Sequence, residues 1–281
     1  MTKTYTPAEP IWCAGCGDFG VQGAIEGAIA QLEIPSHDII IMAGIGCSGT
    51  LQNNIGTYGY HALHGRVLPT ATGVAYANPD LTVIAVGGDG DAFAIGAGHF
   101  IHTVKRNPNF VYIVMNNSVY GLTKGQDSPT MDTGDGGAAH GIDATRLALS
   151  IPGASFIARG FSRWSRQLQE LTVAAMEHVR AGRGFAFLEV LSPCVTYNDT
   201  YVTWEAMLEN LDDDPDYDPS DLAGAFARGV ALEAAGRMPA GVIYRAESAA
   251  GREVPPSMAH LAIDPAQHRD SYKSIMNSYA V

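Results

Sequence analysis

The sequence has few lysines, few cysteines and no long apolar run. Only four of its 281 residues are lysine, and with 17 basic against 29 acidic residues the formal net charge is −12. Nucleic-acid binding relies on a surplus of Lys and Arg, so this composition argues against DNA or RNA as a partner. No stretch approaches the roughly 20 apolar residues of a membrane span, and the first residues lack the apolar centre of a signal peptide. We therefore expect a cytoplasmic protein that binds neither nucleic acid nor membrane.

The four cysteines are Cys13, Cys16, Cys47 and Cys194. Disulfides are rare in the reducing cytoplasm, and a chain of this length buries a large core without them, so a metal or redox role is expected. Cys13 and Cys16 form a C-x-x-C corner of a kind that serves zinc, iron-sulfur clusters and dithiol chemistry alike. Four thiolates near one point fit a zinc site or an iron-sulfur cluster, and spacing alone does not separate these metals.

Short apolar runs that end in glycine-rich loops alternate with segments typical of helices. Four runs predict buried parallel strands: 39–43, 81–86, 110–115 and 185–191. Three segments between them predict helices: 21–31, 92–105 and 163–181, the last with Ser162 as a candidate N-cap. The alternation predicts an α/β protein with a doubly wound, mostly parallel sheet.

The pattern changes after Cys194. Residues 201–211 and 222–235 predict two further helices, and the acidic stretch 212–219 between them is interpreted as a solvated loop, with a docking or lid role as the alternative. We therefore predict a core domain, residues 1–195, and a C-terminal extension, residues 196–281, that packs on it.

The most specific cofactor signal is Gly88-Asp89-Gly90, followed after 25 residues by Asn116-Asn117. Each part follows a predicted strand, so both loops should emerge at the carboxyl edge of the sheet, where open α/β folds bind ligands. The glycines allow backbone to approach a phosphate, and carboxylate and amide oxygens suit Mg²⁺. The pattern resembles the thiamine diphosphate fingerprint, which implies three metal ligands: Asp89, Asn117 and the backbone carbonyl of Val119.

Two cysteines share this predicted location. Cys47 follows the strand at 39–43 and Cys194 follows the strand at 185–191, so both thiols should project from the edge that carries Asp89 and Asn117. A metal beside an organic cofactor is well placed to take its electrons. Redox chemistry is therefore the leading hypothesis.

A series of motifs resembles, in the same order, the β subunits of 2-oxoacid:ferredoxin oxidoreductases. They lie at residues 12–20 (WCAGCGDFG), 44–49 (GIGCSG), 64–66 (HGR), 71–73 (ATG), 88–90 with 116–117, 120–126 (YGLTKGQ) and 239–245 (PAGVIYR). The resemblance covers nearly the whole chain. One departure is Thr50, where relatives often carry a basic residue.

The resemblance implies the fold of the thiamine diphosphate-binding domains and two cofactors beside Mg²⁺. One is a [4Fe-4S] cluster held by all four cysteines, Cys13, Cys16, Cys47 and Cys194. The other is thiamine diphosphate, with contacts from Ile45, Gly46, Cys47, Ser48, His64, Gly88, Gly90, Asp91, Asn117, Gly121 and Leu122.

The activity implied by the resemblance is oxidative decarboxylation of a 2-oxoacid with coenzyme A, giving acyl-CoA and CO₂. Electrons would pass through the cluster to ferredoxin, and the reverse reductive carboxylation is equally open. The wording of the cysteine region favours the 2-oxoglutarate or broad 2-oxoacid branch. Three alternatives stay open: a pyruvate-specific ferredoxin oxidoreductase, a non-redox thiamine diphosphate decarboxylase or synthase subunit with structural zinc, and a catalytically silent scaffold subunit.

Partners follow from what this chain does not carry. It shows only the diphosphate half of a thiamine enzyme, so we expect an α subunit to supply the Glu at the aminopyrimidine and surfaces for coenzyme A and substrate, in a heterodimer or (αβ)₂ assembly. Lys124 is a candidate contact for a substrate carboxylate, with a solvated lysine as the alternative. Three arginines, Arg159, Arg163 and Arg166, form a candidate docking patch for an acidic ferredoxin, with a docking site on the partner subunit as the alternative.

Overall fold

The computed structural model describes residues 6–132 and 140–247, together with positions 273, 277 and 278. Its strands are β1 Ile39–Ala43, β2 Tyr58–His61, β3 Thr82–Gly88, β4 Val111–Asn116, β5 Val119–Tyr120, β6 Gln126–Asp127, β7 Phe156–Phe161, β8 Ala186–Leu191, β9 Leu208–Asn210 and β10 Met238–Arg245. Its α-helices are α1 Asp18–Gln31, α2 Leu51–Asn54, α3 Val67–Ala77, α4 Ala97–Arg106, α5 Ala144–Leu149, α6 Ser165–Arg180, α7 Tyr201–Met207 and α8 Leu222–Ala234.

The main sheet has eight strands in the order β2-β1-β3-β4-β8-β7-β10-β9 among the described residues. All neighbouring pairs are parallel except β7 with β10. Apolar side chains cover both faces: one layer includes residues of α1 and α6, and the other includes residues of α3, α4, α5 and α8. The predicted α/β fold with a mostly parallel sheet is confirmed. No helix in the described part of the chain has the length and apolar character needed to cross a membrane.

Three local predictions were wrong. Ser162 does not cap α6, which begins at Ser165 after Trp164, and the Ser162 backbone N–H instead donates to Leu191 O at 3.0 Å. The helix predicted at 92–105 is divided into a π-helical segment, Asp91–Ile95, and α4. The helix predicted at 201–211 ends at Met207, because residues 208–210 pair with β10 as β9.

The acidic stretch 212–219 makes specific contacts. Asp212 Oδ1 accepts a hydrogen bond from Val242 N at 3.1 Å, and Asp214 lies 3.3 Å from Arg228. These bonds attach the stretch to β10 and α8. The domain boundary at residue 195 stays a prediction; β9 and β10, on its C-terminal side, belong to the main sheet. The predicted extension beyond residue 247 lies outside the described residues apart from 273, 277 and 278.

Candidate active site

The loops that follow β1, β3 and β4 enclose a cavity of about 500 Å³ at the carboxyl edge of the sheet. That size falls within the usual range for small-molecule sites. Every residue predicted to contact thiamine diphosphate or to bind Mg²⁺ lines it: Ile45, Gly46, Cys47, Ser48, His64, Gly88, Asp89, Gly90, Asp91, Asn117, Val119, Gly121 and Leu122. The structure thus brings these residues together, as expected from strands that end at one edge.

Asp89 is a buried acidic group of the cavity with hydrogen bonds at both carboxylate oxygens. Its Oδ2 accepts hydrogen bonds from the Ser128 and Thr130 hydroxyls, the latter at 2.6 Å, while Oδ1 is 3.4 Å from Asn117 N. Burial raises the pKa of Asp89, and these hydrogen bonds oppose the rise. The Asn117 side chain lies beside it and accepts from Val119 N at 3.0 Å. Oδ1 of Asp89 and the amide oxygen of Asn117 are oxygen ligands of the kind that Mg²⁺ prefers.

Asp91 joins two of the cavity loops. Its Oδ1 accepts from Ile45 N and Gly65 N, and lies beside His64 Nδ1, each at 2.9 Å. With Nδ1 assigned as the donor to Asp91, His64 Nε2 is the nitrogen available to a ligand. Gly44 has no room for a side chain, because a Cβ there would lie 2.2 Å from Asp91 Oδ2.

The polar groups of the cavity fit a cation-bound anionic ligand. Asp18, Asp89 and Asp91 are all buried around it, and several buried carboxylates in one site favour a cation. Ser48 Oγ and Asp91 Oδ2 are buried with no hydrogen-bond partner in the described part of the chain. Buried polar atoms are usually hydrogen-bonded, so we expect a bound ligand to supply these partners. The donor set therefore matches a magnesium diphosphate.

The thiols meet next to this cavity. The Sγ atoms of Cys47 and Cys194 lie 3.7 and 3.6 Å from the point where a Cβ on Gly121 would stand. The Cys16 thiol interacts electrostatically with both, and Cys47 does so with Cys13. No group of three or more His, Cys, Asp or Glu side chains in the described ranges is arranged to hold a single metal ion.

A short N-terminal arm, residues 12–17, carries Cys13 and Cys16 to this place. Trp12 Nε1 donates to Cys47 O at 2.8 Å, and Gly17 N donates to Pro193 O at 3.1 Å. The arm is therefore tied both to the loop that carries Cys47 and to the loop that carries Cys194.

Burial keeps the Cys16 and Cys47 thiols protonated at neutral pH. It raises the pKa of Cys16 and raises that of Cys47 to about 11, with the Asp18 carboxylate adding to both shifts. Asp18 is itself buried, accepts a hydrogen bond from Ser192 Oγ at 2.6 Å, and has its pKa raised to about 6 by that burial. Metal binding here would release protons from the thiols.

Two sequence-based assignments find less support in the geometry. Lys124 is exposed, with φ of 77°, and is not part of the cavity wall. The prediction that Arg159 belongs to a surface docking patch was wrong, because Arg159 is only 3% exposed and pairs with Glu189 at 2.7 Å. On the surface Arg163 pairs with Glu205 and Arg166 with Glu170.

Sequence reasoning missed several lining residues. They are Asp18, Met115, Tyr120, Thr123 and Gln126. Four of them stand inside motifs quoted above, residues 12–20 and 120–126, so the motifs themselves were the signal. Met115 lies near the end of an apolar strand and outside these motifs, so the sequence did not indicate its place in the cavity.

Known proteins resemble the chain along nearly its whole length. Residues 44–190 match the family described as thiamine pyrophosphate enzyme, C-terminal TPP binding domain, and residues 194–254 match the family of C-terminal regions of the pyruvate ferredoxin oxidoreductase beta subunit. A 2-oxoacid:ferredoxin oxidoreductase subunit beta from Sulfolobus sp is 39% identical, over 86% of this chain and 84% of its own length. Subunit beta of the 2-oxoacid:ferredoxin oxidoreductase 1 of Aeropyrum pernix is 41% identical, over 83% of this chain and 77% of its own.

A solved structure agrees with these relatives. The 2-oxoglutarate:ferredoxin oxidoreductase of Magnetococcus marinus, with 2-oxoglutarate, coenzyme A and succinyl-CoA bound, superimposes with a TM-score of 0.82 and 33% identity. The match covers 97% of this chain and 94% of that one. The sequence motifs, the fold and the cavity all lead to the same family: the chain belongs to the β subunits of the 2-oxoacid:ferredoxin oxidoreductases.

Proposed function

We propose that this chain, together with an α subunit, catalyses the coenzyme A-dependent oxidative decarboxylation of a 2-oxoacid to acyl-CoA and CO₂ and passes the electrons through a [4Fe-4S] cluster to ferredoxin. One observation carries the proposal. Cys47 lines the cavity that holds Asp89 and Asn117, and its sulfur also lies with that of Cys194 against Gly121. A one-electron carrier at the cysteines would therefore adjoin the organic cofactor. The same arrangement serves reductive carboxylation in reverse.

The first substrate to consider is 2-oxoglutarate. The Magnetococcus marinus enzyme with 33% identity has 2-oxoglutarate bound, which supports this choice. The relatives from Sulfolobus sp and Aeropyrum pernix carry the broader name 2-oxoacid, so pyruvate and 2-oxobutyrate are the natural competitors.

The metal and diphosphate would be held by loops that are already in place. Asp89, Asn117 and the Val119 carbonyl would bind Mg²⁺, while Gly88 and Gly90 allow close approach of backbone to phosphate. Bound thiamine diphosphate supplies a nucleophilic carbon and an electron sink for decarboxylation. The chain's own contribution is to orient the cofactor: Ser48 offers its hydroxyl, which has no partner among the described residues, and Asp91 fixes the loops that carry Ile45 and His64.

The four cysteines would hold the cluster as thiolates. A [4Fe-4S] cluster supplies a one-electron acceptor whose potential is set by hydrogen bonds and exposure. Cys13 is exposed, whereas the other three are partly buried. We infer that the Cys13 side faces the electron acceptor and that the Cys47 side faces the cavity.

The remaining roles fall to the partner and to the periphery. The α subunit would supply the Glu at the aminopyrimidine and surfaces for coenzyme A, in an αβ or (αβ)₂ complex. Lys124 would contact a distal substrate carboxylate. Residues 1–195 would form the cofactor-binding domain and residues 196–281 an extension packed on it and on the α subunit, in the cytoplasm, where thiols stay reduced.

A substrate panel with the co-expressed α and β chains tests the proposal. Anaerobically purified complex should reduce ferredoxin when given coenzyme A with 2-oxoglutarate, with lower kcat/KM for pyruvate and 2-oxobutyrate. CO₂ release without ferredoxin reduction would instead identify a non-redox decarboxylase. Binding of thiamine diphosphate without turnover of any 2-oxoacid would identify a scaffold subunit.

A further inference from the structure

A buried chain of polar side chains crosses three strands and ends at Asp89. Arg159 on β7 stands directly opposite Glu189 on β8, and its Nε donates to Glu189 Oε2 at 2.7 Å. Glu189 Oε1 accepts from Asn116 Nδ2, at the end of β4, also at 2.7 Å. The three residues are 3%, 1% and 5% exposed. The ion pair and the amide are thus one buried unit directly behind the cavity loops.

The Asn116 amide has one workable orientation. Its Nδ2 faces the Glu189 carboxylate, and its Oδ1 accepts from Ser118 N at 2.9 Å. A flipped amide would place oxygen against the carboxylate and NH₂ against an N–H, losing both bonds. Glu189 therefore fixes Asn116 Oδ1 as an acceptor. The link to Thr130 runs through Ser118, whose backbone N–H donates to Asn116 Oδ1 and whose hydroxyl, 3.2 Å from Thr130 Oγ1, donates to it, because the single Thr130 proton goes to Asp89.

Thr130 completes the connection to Asp89. Its hydroxyl is 2.6 Å from Asp89 Oδ2, and the Ser128 hydroxyl bonds to the same oxygen. Oδ1 lies 3.4 Å from Asn117 N, a longer contact than the Thr130 bond to Oδ2. The two hydroxyls therefore set the orientation of the carboxylate and leave Oδ1 as the oxygen open to another ligand.

Stability alone is a weak reason for such a construction. A buried ion pair is often no more stabilising than apolar side chains of similar volume, because desolvation offsets the attraction. Arg159 and Glu189 lie on β7 and β8, two fully buried strands whose other residues are apolar. Their position behind the Asn116-Asn117 loop suggests a role in the site.

We propose that Arg159, Glu189, Asn116 and Thr130, with Ser128, are positioning residues that present Asp89 Oδ1 to the divalent cation. This rests on the proposed function, in which Asp89 is a metal ligand. Partners of this kind hold a ligand in the geometry the metal requires, and losing one typically weakens metal binding by about 10–100-fold.

The test is Mn²⁺ binding to the αβ complex in the presence of thiamine diphosphate, with free Mn²⁺ measured by EPR. Thr130→Val keeps the shape of the side chain and removes the hydroxyl, and should weaken Mn²⁺ binding about 10–100-fold. Thr130→Ser keeps the hydroxyl and should restore the affinity. The matched control is Thr203→Val, an exposed threonine on α7 whose hydroxyl bonds to Thr200 O. Cluster absorption should be the same in all of them.

A second variant separates positioning from folding. Arg159 also pairs with Asp143 at 3.2 Å, so the apolar replacement is Arg159→Met and Glu189→Leu together with Asp143→Asn, which leaves no unpaired carboxylate and keeps an N-cap on α5. This triple variant should keep the melting temperature or raise it, yet still weaken Mn²⁺ binding because Asn116 loses its acceptor. Wild-type Mn²⁺ affinity in both Thr130→Val and the triple variant would overturn the positioning role while leaving Asp89 as a ligand. Failure of wild-type complex to bind Mn²⁺ with thiamine diphosphate would overturn the metal site itself.

Discussion

Asp89 is 1% exposed and its carboxylate accepts hydrogen bonds from Ser128, Thr130 and Asn117, whereas Cys13, near the other end of the site, is exposed. We refer to Asp89, Asn117, Ser128 and Thr130 as the metal side, and to the four cysteines as the cysteine side. The metal side is braced by side chains from three strands. The cysteine side is assembled by three loops, of which the N-terminal arm is tied by backbone contacts and Trp12.

The difference indicates that the two sides depend on their ligands to different degrees. On the metal side the oxygens are oriented by the protein before any cation arrives. On the cysteine side the Cys16 and Cys47 thiols are protonated, so they must lose their protons when a metal binds. A substitution on one side should therefore leave ligand binding on the other side unchanged. Four predictions test this comparison, in order of decreasing effect.

The largest effect is expected from Cys194→Ala. Removing one thiolate should abolish the cluster and with it ferredoxin reduction, while magnesium and thiamine diphosphate still bind. The visible spectrum and a binding titration measure the two sides separately. Val195→Ala, at the next position, should keep the cluster. If Cys194→Ala retains its full absorption, Cys194 is not a ligand.

Asp89→Asn should have the opposite outcome. Losing the carboxylate should weaken magnesium-dependent thiamine diphosphate binding by at least about 100-fold, because a neutral amide replaces the main anionic ligand. The cluster spectrum should be unchanged. Asp127→Asn, at an exposed carboxylate on β6, serves as the control. Loss of the cluster in Asp89→Asn would show that the two sides are not independent.

Asp18 lies between the two sides and should make cluster-free protein pH-dependent. Burial raises its pKa to about 6, so the folded state retains a proton that the unfolded state, with a pKa near 3.9, releases. The contribution of Asp18 to stability should therefore fall as pH rises from about 4 to about 6, by about 3 kcal/mol at most. Asp18→Asn should flatten this part of the curve in urea unfolding. The exposed Asp80→Asn should not.

The smallest effect is expected at the surface arginines. Arg166 is paired with Glu170 at 2.9 Å and is strongly exposed, so its charge is already offset. Charge reversal, Arg166→Glu, should change the rate of ferredoxin reduction by less than about twofold at physiological salt. A large loss would place the electron acceptor on this face instead of the Cys13 face.

Strand-end logic predicted much of the site. The runs before Asp89, Asn117 and Cys47 were apolar and continuous, and parallel strands bring such loops to one edge. Three strands that the sequence analysis did not predict, β2, β7 and β9, have no continuous apolar run. β7 contains Arg159 within its apolar run, and β2 is exposed along its length. Residues 208–210 continue a helical pattern, and only pairing with β10, about 30 residues later, makes them a strand.

The bracing of the metal side was beyond sequence reasoning for a different reason. Ser128 and Thr130 are small residues in a loop, where hydroxyls are common and carry no periodic pattern. Their role depends on where the turn after β6 places them against Asp89. The pairing of Arg159 with Glu189 likewise depends on strand register, which only the folded sheet defines.

The most direct test of the central claim is the EPR and visible spectrum of anaerobically purified αβ complex before and after addition of 2-oxoglutarate and coenzyme A. The account predicts a brown protein whose [4Fe-4S] signal appears on reduction by substrate, and only when magnesium and thiamine diphosphate are present. A colourless protein with stoichiometric zinc at the cysteines would contradict it.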